Sequence, residues 1–392
     1  MFFSISILSV SFLLFVVFLF LEKKKHSDSL ARIPIRIHVN GTRGKSSVTR
    51  LIHSILVEAG WNVFAKTTGS AASLLFPDRS EKRIFRNKVS ISEQITFLNF
   101  IAKNKPRAVV VECMAVQPQY QKDSESILLN ATHTVITNIR PDHGEYSNSK
   151  EEIRNGFLLT IPKNGILLYG RSLENLDWTT PAKQKNTDAI LGVPKISEEY
   201  IQKIASSLRY PEHIENIEIA VALCENLGLK KNEILKGIFK TNPDPGALEI
   251  REFSFRESKQ IFVFAFAAND TISWEKILLS VERETSSVRV NVVFTSKKER
   301  PVRTKEFASY LSKISNLDTI YFFGTGYRLF TSIYTGNARV LSVKKTDSIQ
   351  WDSNIQNSNI WIGAGNFEGE GRVWLRNQIL SLEKMREKEW KS

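Results

Sequence analysis

The chain has 392 residues, 42% hydrophobic and 24% charged, with only two cysteines. Those values exclude a disordered polyelectrolyte and a disulfide-stapled scaffold, and they leave room for two domains. The formal net charge of +13 points to an anionic partner: nucleotide, acidic substrate, anionic lipid or nucleic acid.

Phe2 to Leu21 carries no charge and is rich in Phe, Leu, Ile and Val, and Lys23, Lys24 and Lys25 follow at once. About 20 apolar residues suffice to cross a bilayer core as a helix. The expectation is an uncleaved single-pass anchor over residues 1–22 in a cell membrane, with the domains that follow on the cytoplasmic side by the positive-inside rule. Residues 23–32 are expected as a polar linker.

From Ile33 the chain alternates β-rich runs with helical stretches, which predicts a parallel α/β sheet. Predicted strands are Ile35–Val39, Asn62–Ala65, Ala108–Glu112, Thr134–Asn138, Gly165–Tyr169 and Thr187–Leu191. Predicted helices are Lys45–Glu58, Ser92–Ala102, Lys150–Leu159, His213–Leu227 and Lys231–Phe239. The stretch TNPDPGA at 241–247 breaks every regular pattern, so a boundary is expected there, with a nucleotide-binding domain over 33–245. A second, smaller Rossmann-like α/β domain over 246–392 follows from strands at Ile261–Ala267, Val288–Phe294, Thr319–Phe323 and Asn359–Gly363. Its helices are expected at Ser273–Glu284, Lys305–Ser315 and Gly371–Glu387.

Residues 37–50, IHVNGTRGKSSVTR, join the first strand to the first helix of this sheet through glycines. Gly41, Thr42, Arg43 and Gly44 allow backbone N–H groups to approach an anion, and the helix N-terminus adds positive dipole. Lys45 adds a charge, and Ser46 a hydroxyl for Mg²⁺. A standard phosphate loop has glycine where Val39 stands, and a chance turn before a helix is the bland alternative.

Three strand ends deliver polar groups to one edge, where ligands of open α/β sheets bind. Glu112 closes a buried Val-Val-Val run as a candidate metal ligand; a solvated rim carboxylate is the alternative. Asn138, Asp142 and His143 follow the next strand as candidates around a divalent cation. Lys66-Thr67-Thr68-Gly69-Ser70 lines an acyl-phosphate region or forms an ordinary turn. Asn269-Asp270 contacts a ribose or caps the following helix.

NGTRGKS, VECMAV and TNIRPDH together resemble the Mur ligase superfamily of ATP-dependent amide-forming ligases. With KTTG, PDPGA, FAAND and the apolar N-terminus, the chain is most similar to the ligase subunits of capsule-type poly-γ-glutamate synthases. The resemblance implies a P-loop domain plus a C-terminal ligase domain, with ATP and Mg²⁺ as cofactors. It assigns Gly41 to Ser47 to ATP, Lys45, Glu112 and His143 to catalysis, and Ser46, Glu112 and His143 to the metal. Asn216 would face the adenine and Asp270 the ribose. Lys66, Thr68, Gly69, Asn269, Lys297 and Arg300 would line the substrate.

The implied reaction activates a carboxylate as an acyl phosphate, which an amino-acid amine then captures. The implied partners are glutamate or a growing poly-γ-glutamate chain, small membrane subunits and the membrane, with no nucleic acid. Two departures touch substrate identity: Glu249 follows PDPGA where the family has arginine, and TSKKER replaces the segment N-x-R-x-D-R. A carbamylated lysine, used by related enzymes, has only Lys150 as a weak candidate. The alternatives are a folylpolyglutamate synthase-like ligase and a membrane-anchored P-loop ATPase that drives transport or assembly. Peptidoglycan precursors are not the expected substrate, because little precedes the first strand.

Overall fold

In this computed structural model the described residues are 2–68, 72–84, 90–140, 149–208, 210–244, 247–255, 258–268, 270–282, 289–347 and 359–389, the side chains of 2–9, 255 and 386–389 excepted. The chain divides into two compact units, Met1–Asp244 and Pro245–Ser392.

The first unit is built on a sheet whose strands are β1 (Ile35–Asn40), β2 (Val63–Thr67), β3 (Ser73–Leu75), β4 (Glu81–Arg83), β5 (Ala108–Glu112), β6 (His133–Ile136), β7 (Ile166–Tyr169) and β8 (Asp188–Leu191). They lie in the order β4-β3-β2-β5-β1-β6-β7-β8. All pairings are parallel except β2–β3 and β3–β4. β1 sits between β5 and β6, with Val39 opposite Glu112 on one side and Val135 on the other. The chain segments leaving β1, β5 and β6 therefore emerge side by side.

Both faces of this sheet are covered, and β5 reads as a continuous apolar run, Ala108 to Val111, whereas β1 alternates Ile35, Ile37 and Val39 with the polar Arg36, His38 and Asn40. Helix α2 (Lys45–Glu58) lays Val48, Leu51, Ile52, Ile55 and Leu56 on one face, all at 0% exposure. Each such side chain contributes about 1.5–3 kcal/mol on burial, which seats the helix firmly at the end of β1. Helices α8 (Ile214–Asn226) and α9 (Lys231–Phe239) share this core. Gly237 lets α9 approach α2 closely, since a Cβ there would lie 2.4 Å from the Ile55 Cα. The opposite face carries Phe97, Leu98 and Ile101 of α3 (Glu93–Ala102), with Leu30 and Ile33.

The N-terminus departs from expectation. Residues 2–31 form one helix, α1 (Phe2–Ala31), so the expected linker is helical almost to its end. Its last turns are tied down by Leu30 in the core and by His26 Nε2, 2.8 Å from the Leu128 carbonyl. Among the described residues no helix is long and apolar enough to cross a membrane. The expected single-pass anchor and membrane localisation are corrected accordingly.

The second unit is a six-stranded sheet of β9 (Ile250–Phe255), β10 (Ser258–Val263), β11 (Arg289–Ser296), β12 (Leu317–Gly324), β13 (Arg339–Ser342) and β14 (Asn359–Gly365). Its order is β13-β12-β11-β14-β10-β9, parallel except for the β9–β10 hairpin. Helices α10 (Thr271–Glu282), α11 (Pro301–Leu311) and α13 (Glu370–Glu389) pack against it, with a short α12 (Tyr327–Ile333). Its core is aromatic: Phe294 packs against Phe307, Phe322 and Phe330. Trp274, fully buried, donates its indole N–H to the Gly363 carbonyl at 2.8 Å, satisfying a group that burial would otherwise orphan.

Candidate active site

The loop between β1 and α2 makes a sharp turn at two glycines. Gly41 has φ +132° and Gly44 has φ +79°, conformations that L side chains rarely adopt. Neither tolerates a side chain for a second reason: a Cβ would meet Thr137 Oγ1 at 2.0 Å from Gly41, and Asn216 Oδ1 at 2.2 Å from Gly44.

Gly44 is the residue before α2, and no side chain caps that helix. The N–H groups of Lys45, Ser46 and Ser47 have no intrahelical acceptor, as at any helix start. With Gly44 they form a run of donors meeting no acceptor among the described residues. Together with the helix dipole this is an anion cradle. Lys45 folds over the loop, its Nζ donating to the carbonyls of Gly41 at 2.7 Å and Thr42 at 3.4 Å.

Ser46, on the first turn of α2, and Glu112, at the end of β5, meet. Ser46 Oγ donates to Glu112 Oε2 at 2.9 Å, and the Thr68 N–H donates to the same oxygen at 2.7 Å. Glu112 is 2% exposed, so it is no solvated rim residue. A hydroxyl and a carboxylate beside an anion cradle are the hard oxygen donors that Mg²⁺ takes, and this pair fits such an ion. Among the described residues no group of three or more His, Cys, Asp or Glu gathers as a metal site. His143, Asp142, Gly69 and Asn269 lie outside the described residues.

The other candidates have definite surroundings. Asn216, on the first turn of α8 and 4% exposed, lies over Gly44 and donates through Nδ2 to Glu212 Oε1 at 2.7 Å. Burial pushes the Glu212 carboxyl up, against the hydrogen bonds of Asn216, the His213 N–H and Ser47. Sequence reasoning did not single out Glu212. An acidic residue just before a helix has an ordinary reading there, and only the fold turns it toward Asn216.

Lys66 is 1% exposed and held by α3, with Nζ 2.6 Å from Glu93 Oε1 and 3.0 Å from Gln94 Oε1. Its ammonium is thus directed to structural partners. In the second unit, Asp270 Oδ1 accepts from the Ser273 N–H at 2.7 Å, the helix-cap reading of this residue. Lys297 Nζ lies 3.1 Å from Glu368 Oε2 just beyond β11, and Arg300 stands immediately before α11. Lys150, on the first turn of α5 (Lys150–Leu158), is exposed.

Beneath the loop, on β1, is a second polar layer. His38 Nδ1 is 2.7 Å from Glu125 Oε2, both buried, and Glu125 also accepts from the Ala131 N–H. Burial opposes a charge on His38, but Cys113 and Glu125 outweigh it and raise its pKa to about 10. Glu125 lies on a π-helical turn, Ser124–Leu129, which no periodicity announces.

Comparison with known proteins bears on this geometry. Residues 39–207 match the Mur ligase middle domain, and residues 250–378 match the poly-gamma-glutamate synthase CapB C-terminal domain. The chain is 33% identical over 298 residues to PGA synthase CapB of Bacillus subtilis (strain 168), covering 74% of each chain. Among solved structures it is similar to MurF from Acinetobacter baumannii, with a TM-score of 0.61 and 13% identity over 91% of this chain and 78% of that one. It is also similar to a bifunctional folylpolyglutamate synthase/dihydrofolate synthase from Yersinia pestis, complexed with AMPPNP and Mn ion. The TM-score there is 0.60, with 15% identity over 91% of this chain and 92% of the other.

Proposed function

Since the chain belongs to the CapB family of poly-γ-glutamate synthases, we propose that it is an ATP-dependent acid–amino-acid ligase that joins glutamate units through γ-amide bonds. The observation that carries this reading is the meeting of Ser46 and Glu112 at the mouth of a phosphate cradle. ATP is the nucleotide, with its phosphates on the first turn of α2. Ser46 and Glu112 would hold Mg²⁺, which would supply positive charge to offset that building on the phosphates during transfer.

In this reading a substrate carboxylate is activated as an acyl phosphate, and an amine then displaces phosphate. The residues of the chain bind, orient and exclude water, because phosphoryl transfer asks mostly for positioning and charge stabilisation. Lys45 lies over the cradle and supplies positive charge to the phosphate oxygens. Glu112, held from both sides by Ser46 and Thr68, needs little reorganisation to take a cation. Asn216, which lies over Gly44, contributes to nucleotide binding, and the net charge of +13 suits an acidic substrate.

The test is ADP release by purified protein with ATP, Mg²⁺ and each amino acid in turn. Glutamate-dependent release is expected, abolished by Lys45→Ala. ADP release indifferent to every amino acid would overturn the ligase reading in favour of a plain ATPase.

A further inference from the structure

Asn138, which the sequence places among candidates around a cation, has a different task in the fold. Its amide is spent on one residue of the loop. Asn138 Oδ1 accepts from the Arg43 N–H at 3.1 Å, and Asn138 Nδ2 donates to the Arg43 carbonyl at 3.1 Å. Its own backbone carbonyl accepts from the Thr42 N–H at 3.0 Å. The preceding Thr137 Oγ1 donates to the same Arg43 carbonyl at 2.6 Å. Gly41 N–H is taken by Asn40 Oδ1 at 2.8 Å.

Every N–H ahead of Gly44 in the loop is therefore occupied from within the protein, and among the described residues the donors from Gly44 to Ser47 meet no acceptor. We propose that Asn138 is a positioning residue for nucleotide binding: it locks the Arg43 peptide so that the first turn of α2, rather than the loop itself, is presented to the phosphates. The inference rests on the nucleotide reading above and adds to it which donors do the gripping and what sets them.

Asn suits this task for a chemical reason. It is 4% exposed, so both ends of its amide must be paired. Only an amide of this length offers an acceptor to one N–H and a donor to the adjoining carbonyl. An Asp keeps the acceptor, loses the donor and sets a carboxylate against the Arg43 carbonyl. Thr137 supplies an independent donor to that carbonyl, so the two side chains share one target.

Full-chain protein is titrated with Mg·ATP and assayed for turnover. Asn138→Ala and Asn138→Asp are each expected to raise the Kd for Mg·ATP tenfold or more, and Thr137→Val about threefold. KM for ATP should rise in step while kcat changes less than threefold. A merely structural role would do the reverse, lowering kcat through a smaller folded fraction with KM unchanged. The Thr137→Val/Asn138→Ala double variant should bind more tightly than the product of the single effects implies, because both act on one carbonyl. Unchanged Mg·ATP affinity in folded Asn138→Ala overturns the inference while leaving the ligase reading standing. Absence of Mg·ATP binding by the unsubstituted chain overturns both.

Discussion

Gly44→Ala isolates what the turn into α2 demands. The new methyl would sit 2.2 Å from Asn216 Oδ1 and 2.9 Å from its Cγ, at a backbone φ of +79°. The left-handed conformation alone costs an alanine about 1–2 kcal/mol. Asn216 must also move, and at 4% exposure it cannot move without breaking its 2.7 Å hydrogen bond to Glu212, a further loss of about 1–2 kcal/mol. The sum is about 2–4 kcal/mol, which for a domain of this size lowers the thermal midpoint by about 5–15 °C. Differential scanning calorimetry of the single and double variants separates the two terms. Adding Asn216→Ala removes the obstruction, so Gly44→Ala should then cost only the backbone part, and the cycle should show about 1–2 kcal/mol of coupling. Strictly additive effects would refute the steric argument.

Other outcomes follow from the same coordinates. Glu112→Gln keeps the size of the side chain and an acceptor for the Ser46 hydroxyl but removes the charge. Half-maximal activation by Mg²⁺ should shift upward at least tenfold, read from a metal titration at saturating ATP. His53 and His133 are held neutral: burial, with Arg79 and Arg50 beside His53, and burial alone at His133, push both pKa values down to about 4. Below pH 6.5 the unfolded chain takes up protons that the folded chain refuses, so stability should fall as pH drops from 6.5 to 4. Urea midpoints across that range should flatten in His53→Gln/His133→Gln, and an unchanged slope would sink the assignment. Arg50→Ala removes a buried guanidinium that donates to both oxygens of Glu81 at 2.6 and 2.9 Å, leaving that carboxylate only Ser73 and the charge of Arg83. A loss of about 2–3 kcal/mol is expected by denaturant unfolding.

The α/β class and the glycine turn into α2 were legible because they rest on local signals. Gly41, Gly44, Lys45 and Ser46 carry their chemistry in residue type, and the apolar residues of α2 recur at helical spacing. Glu112 was legible as the polar end of a buried run. The hairpin of β3 and β4 was not. Ser73–Leu75 and Glu81–Arg83 are too short to alternate, and their strand character comes from antiparallel pairing with β2 and with each other. The direction of Lys66 was hidden for a related reason. A lysine reads as exposed until Glu93 and Gln94, 27 and 28 residues on, arrive to bury it. Asn138 was noticed as polar, but its partner, Arg43, is 95 residues away. The N-terminal run was read as an anchor from its apolar composition, and among the described residues no helix is long and apolar enough to cross a membrane.

The strand at the outer limit of the first sheet has consequences in concentrated solution. All three residues of β4 are exposed, and they read Glu-Lys-Arg. An open strand flank invites a stranger's backbone to zip alongside, and ionised side chains on so brief a stretch discourage that. Replacing Lys82 and Arg83 by valine should therefore raise self-association as the protein is concentrated, read by light scattering.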